Sequence, residues 1–255
     1  MRARAGLIIL LALSPCAFPF GARAAQTVTL QTSFNPDRLG ARTTIEFDFQ
    51  VHSTLSGEPP SPLTDVNLHL PAGLGLASST LGLANCTPAA LLERGLAGCP
   101  ANARIGFGSS LVSVPAVGQY VQEEGTLTAL VGPPNREHLE VLFYAEGHTP
   151  VSAQLVFPGH VFEDNPPFSG RLDTAIPLIP TWPGGPDVAI TRMSSTIGPR
   201  GLTYYRHVRG KIVPFHPRGI VVPKRCPRRG FPFRVDITFL DGTYTHATSA
   251  VPCPR

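Results

Sequence analysis

The chain predicts an all-β fold: a mostly antiparallel β-sandwich with one short helix and two local disulfides. Three observations carry that expectation. Apolar residues recur at every second position in several runs, the period of a half-buried strand. Glycine and proline, 25 and 28 of 255 residues, break those runs at short intervals. Four cysteines follow an N-terminal leader, an even number that reads as two bridges in an exported chain.

The leader comes first. Arg2 and Arg4 precede the apolar run Leu7 to Leu13, and Ala22-Arg23-Ala24 supplies a small-x-small cleavage signal. This predicts a signal peptide over residues 1–24, export, and a single domain over 25–255. The run is shorter than the ~20 residues a spanning helix needs, and no later stretch qualifies, so no transmembrane helix is expected. Cys16 follows Pro15, a poor fit to a lipid-attachment signal.

The strands follow in order. Ile45, Phe47, Phe49 and Val51 alternate with Glu46, Asp48, Gln50 and His52. Val66, Leu68 and Leu70 repeat the pattern, as do Leu139, Val141 and Phe143, then Val151, Ala153, Leu155 and Phe157. The Gly147 to Pro150 turn joins the last two runs as a hairpin. Phe233, Val235, Ile237 and Phe239 form another apolar face before Asp241-Gly242, the strongest short hairpin signal in the chain. One helix is predicted over 87–94: Thr87 caps it, Pro88 suits its first turn and Gly95 ends it. Pro177 to Pro186, with Trp182, reads as a rigid extended connection, and Trp182 is expected to pack on the core. The chain turns arginine-rich after Gly201, which allows a subdomain boundary near 200.

Three connectivities are open to Cys86, Cys99, Cys226 and Cys253. Cys86–Cys99 and Cys226–Cys253 are favoured, because each pair closes a local segment. Zinc ligation needs paired C-x-x-C or nearby histidines, and neither spacing is present.

Leu70-Pro71-Ala72-Gly73-Leu74, then Asn85-Cys86, then Gly98-Cys99-Pro100 through Ile105-Gly106 form a further pattern. It resembles the LPxGL…C…CPxxxxIG pattern of uncharacterised secreted actinobacterial proteins, over roughly residues 65–200. The resemblance implies a cell-envelope β protein and carries no catalytic residues.

The charges are lopsided. The chain has 21 Lys and Arg against 17 Asp and Glu, and three of the arginines belong to the leader, so the mature chain is close to neutral. Its overall basicity therefore does not point to nucleic acid. Yet Arg206, Arg209, Lys211, Arg218, Lys224, Arg225, Arg228 and Arg229 fall within 24 residues that contain no acid. Tyr204, Tyr205, His207 and His216 lie among or beside them. Such a segment suits an anionic envelope polymer, and arginine suits planar phosphate or carboxylate groups. The plain alternative is a solvated surface.

The other candidates are weaker. His52 and His69 sit on polar strand faces and are expected to be exposed. His138, His148 and His160 lack metal-ligand spacing, so no metal or cofactor is expected. Glu163-Asp164-Asn165 reads as an acidic turn, not a calcium loop. Ser109 and Ser110 do not sit in a G-x-S-x-G elbow. The separation of Glu140 and Glu163, the carboxylate pair a glycosidase would need, is not encoded in spacing. The sequence therefore points to a non-catalytic secreted envelope structural or binding protein, with a glycan-acting hydrolase or lectin-like module as the alternative. Oligomeric state is left open.

Overall fold

The computed structural model describes residues 26–75 and 80–254. The predicted signal peptide and Cys16 lie outside the described residues. More than half of the described residues are in strands, and they include one short α-helix.

The strands are β1 (Gln26–Asn35), β2 (Arg42–Ser53), β3 (Leu63–Pro71), β4 (Arg104–Ala116), β5 (Gln119–Val131), β6 (Leu139–Gly147) and β7 (Ala153–Glu163). They continue as β8 (Phe168–Ala175), β9 (Ala189–Ile197), β10 (Tyr204–Val208), β11 (Lys211–Phe215), β12 (Ile220–Val221), β13 (Phe231–Phe239) and β14 (Tyr244–Val251). Helix α1 (Pro88–Arg94) lies between β3 and β4. The main sheet runs β1-β2-β9-β4-β5-β6-β7-β8-β3-β13-β14, with β12 added to the start of β2. Every pairing is antiparallel. β10 and β11 form a separate hairpin.

This corrects the expected sandwich. The pairing gives one continuous sheet that curls until its ends meet as a nearly closed barrel. Across the seam, Thr32 Oγ1 donates to Ser249 Oγ at 3.0 Å and Gln26 Nε2 donates to Asp241 Oδ2 at 3.1 Å. Alternation along each strand puts one set of side chains inside either architecture. Periodicity therefore cannot separate two facing sheets from one rolled sheet.

The predicted inward faces hold where the core is thick. Phe231, Phe233, Val235 and Ile237 are fully buried and Phe239 nearly so. Each such side chain contributes roughly 1.5–3 kcal/mol by leaving water. Phe34 meets the rings of Phe231 and Phe233 edge-on, at 5.4 and 6.0 Å. The interior is filled: Phe47, Leu127, Phe157, Met193 and Val235, from five strands, border an apolar void of about 40 Å³. Such a space holds a water or two at most.

Leu139 departs from expectation. It has the predicted inward parity, but it is the first residue of β6 and is exposed. Leu142 and Tyr144, on the opposite face of β6, are buried because α1 covers them with Leu91. Thr87 Oγ1 caps α1 by accepting the Ala90 amide at 3.3 Å, and Gly95 ends it at φ 58°, as predicted. Cys86–Cys99 and Cys226–Cys253 pair as expected, with Cα separations of 5.3 and 5.8 Å. They accord with an oxidising, extracytoplasmic compartment. No helix of the described residues is long and apolar enough to cross a membrane.

The 176–188 connection is not extended as expected. It folds back on itself: Pro180 bridges Asp187, and the Gly185 amide donates to the Trp182 carbonyl at 2.8 Å. Trp182 rests on Gly185 and is about half exposed, so it does not pack on the core.

Candidate functional site

The basic segment lies at one end of the barrel. Ile197, at the end of β9, pairs with Ile45 near the start of β2 on one side and with Gly106 near the start of β4 on the other. The starts of β2 and β4 therefore share an end. β12 is paired there to Arg42 and Thr43 of β2. The β10–β11 hairpin is rooted at the same end by Tyr204, which is fully buried. Its hydroxyl donates to the Arg104 carbonyl and accepts the Gly82 amide at 3.0 Å. Burial pushes the Tyr204 phenol above its ordinary value, against the opposing effect of the Gly82 amide. Asn102 clamps the next residue: its Oδ1 accepts the Tyr205 amide at 2.8 Å and its Nδ2 donates to the Tyr205 carbonyl at 2.7 Å.

The eight cations fall into two groups joined by residues 212–223. Arg206, Arg209 and Lys211 lie on the hairpin, where the Arg206 guanidinium sits 5.3 Å from the Phe215 ring centre. Arg209 and Gly210 form the two-residue turn, with φ of 49° and 76°. Positive φ at both positions is the requirement of a type I′ turn, which favours Asn or Gly over Arg at the first. Lys224, Arg225, Arg228 and Arg229 crowd the loop held by Cys226–Cys253, and Arg218 lies between the groups with its amide on Thr80 Oγ1 at 2.7 Å.

All eight are exposed, and among the described residues none forms an ion pair. Arg171, Arg192, Arg200 and Arg234, outside the segment, each hold a carboxylate at 2.6–2.7 Å. The structure also adds two cations that linear reading missed. Exposed Arg38 and Arg42 join this end because β12 pairs beside them. The signal was long-range strand pairing, which no local window contains.

The opposite end has the other sign. Its connections, 54–62, 117–118, 148–152, 176–188 and 240–243, contain no Arg or Lys and carry Glu58, Asp187 and Asp241. Near-neutrality thus conceals an uneven distribution: Arg and Lys of the connections are confined to one end of the barrel, beside Asp37, Glu93, Glu137 and Asp164.

A second charged cluster covers the outer face of β3, β8 and β13. His69, expected to be exposed, is enclosed there. Its Nδ1 lies 2.6 Å from Asp164 Oδ2 and its Nε2 2.9 Å from Asp236 Oδ2. Its side chain is only 13% exposed, and Phe168 packs on the ring at 5.2 Å. Burial pushes the Asp164 carboxyl up, but hydrogen bonds from His69 and the Asn165 amide outweigh it, and it titrates below its usual range. Asp236 behaves alike: burial raises it, and hydrogen bonds from Arg234, Tyr244 and His69 bring it below normal. Both carboxylates are committed to internal partners. The acidic turn at 163–165 is thereby fastened to β3 and β13.

The remaining candidates are dispersed, with one exception. Ser109 and Ser110 lie within β4, paired to Thr126 and Gly125 of β5. His52 is exposed. His138 and His160 come together: their ring centres are 4.5 Å apart, and Glu140 is the direct strand partner of His160. Glu163 lies three residues further along β7 and is exposed. Comparison with known protein families, curated proteins and solved structures finds no match to this chain.

Proposed function

We propose that the chain is a non-catalytic, secreted cell-envelope structural or binding protein whose basic end engages an anionic envelope polymer. One observation carries the reading: eight exposed cations without acidic partners share one end of a barrel whose opposite end is acidic. An uneven charge distribution of this kind steers and orients a polyanion. Four of the five cations on or beside the Cys226 loop, from Arg218 to Arg229, are arginine, suited to paired contacts with phosphate or carboxylate. Arg209 supports the same reading, because it holds a cation at a turn position where Gly or Asn would fold more easily. Exposed Tyr205 adds a ring beside the charges.

The test is co-sedimentation with insoluble anionic envelope material and with the same material stripped of its phosphate and carboxylate groups. Retention should require the anionic groups and collapse as salt approaches 1 M, where screening shortens to about 3 Å. Charge reversal at Arg225, Arg228 and Arg229 should abolish it. Retention that ignores salt, stripping and the triple reversal overturns the proposal and favours recognition of a neutral glycan.

A further inference from the structure

We propose that His138, Glu140 and His160 form a site for one divalent transition-metal ion of the Zn²⁺ class. The site shares no residue with the basic segment, although the start of β6 lies at the same end of the barrel. Glu140 and His160 face each other across the β6–β7 ladder, and His138 precedes Glu140 by two residues, the spacing that returns a side chain to the same face. One ligand atom from each residue lies within 4.8 Å of the other two. A tetrahedral ion with bonds of about 2.0–2.1 Å needs ligand atoms about 3.4 Å apart. Closing the site therefore takes side-chain shifts on the order of 1 Å, with the strands unmoved. Two imidazoles and one carboxylate suit Zn²⁺, Co²⁺ or Cu²⁺, whereas Ca²⁺ and Mg²⁺ select oxygen ligands.

The surroundings orient the three side chains. The Gly132 amide donates to the Glu140 carbonyl at 2.8 Å. A Cβ at Gly132 would stand 2.8 Å from Glu140 Cγ and 3.0 Å from its Oε1, so glycine is what lets the carboxylate lie along this turn. Asn135 Oδ1 accepts the Glu137 amide at 2.9 Å, which leaves its Nδ2 facing His138 Nε2 at 3.3 Å. Phe162 flanks the two rings at 5.2 and 6.2 Å and walls off one side. On the other side, residues 131–140 with Asn85 border an open recess from which water can reach a fourth coordination position. Arg136 opposes a cation there, and Glu137 beside it offsets that charge.

The test uses the full chain, disulfides intact, purified without a histidine tag. Calorimetric titration with Zn²⁺ should give one site per chain, and Co²⁺ should develop the visible absorption of a low-coordinate nitrogen–oxygen site. Glu140→Gln and His160→Ala should each weaken Zn²⁺ binding by at least about tenfold. His148→Ala, in the turn after β6, should leave it unchanged. Circular dichroism checks that each variant is folded, and Glu140→Gln preserves side-chain shape should the histidine variants misfold. Absence of binding at about 1 mM Zn²⁺ overturns the proposal. So does binding that survives His138→Ala with His160→Ala in a folded protein, since the metal would then sit elsewhere.

Discussion

The outer face of β3 and the basic end of the barrel handle charge in opposite ways. Around His69, every charge has a partner: Asp164 and Asp236 grip the imidazole, and Arg234 grips Asp236. From Arg206 to Arg229, eight cations have none among the described residues. The first arrangement is half-buried, so removing one member strands another away from water. The second is solvated, so removing a member strands nothing. Charge in the first region belongs to stability. Charge in the second is free to act on a partner, and its removal should show in binding.

The largest effect should follow from His69→Ala. It removes the ring that lies between two poorly exposed carboxylates, at a cost of about 3 kcal/mol. Urea denaturation would measure it, and a loss under 1 kcal/mol would erase the distinction between the regions.

Acid should act on the same cluster. Asp164 and Asp236 titrate below the usual 3.8 in the folded chain. Their contribution is complete above that unfolded value and is lost as pH falls through the lower folded values. The thermal midpoint should therefore drop as pH falls below 3.8 towards the lower folded values, and Asp164→Asn should flatten that slope. An unchanged slope would mean that other carboxylates govern acid unfolding.

A smaller effect, about 1 kcal/mol, is expected from Thr87→Ala, which frees the Ala90 amide at the start of α1. Retention on anionic envelope material should not change, because the cap touches neither charged region.

Smallest in stability, and most telling for the comparison, are changes in the basic end. Reversing Arg225, Arg228 and Arg229 should shift stability by no more than about 0.5 kcal/mol while abolishing retention. Arg209→Gly should hold or raise stability by up to about 1 kcal/mol, since glycine takes the positive φ without strain, and should weaken retention. A basic end whose loss unfolds the protein would turn out to be structural after all.

Legibility followed the range of the interactions. The run at 233–239 was readable because a strand with one buried face alternates. The cap, the first-turn proline and the terminal glycine of α1 lie within nine residues, so they were readable too. His69 was misread because its enclosing groups, Asp164 and Asp236, are 95 and 167 residues away. The His138–Glu140–His160 group was invisible to spacing rules for a similar reason. His160 joins it through the β6–β7 register, not through sequence neighbours.

By itself, then, the chain determined the all-β class, the short helix α1, the local cysteine pairs and the acid-free basic segment. Each follows from interactions between residues close in sequence or from composition. The tertiary structure decided that one sheet rolls up instead of two sheets facing each other. It also decided that Leu142 and Tyr144 are covered, that Trp182 is not, and that the basic segment and the connections without Arg or Lys lie at opposite ends. Those outcomes depend on which distant strands pair, and strand pairing is set by the whole set of inward faces finding a common core, which no short window of sequence contains.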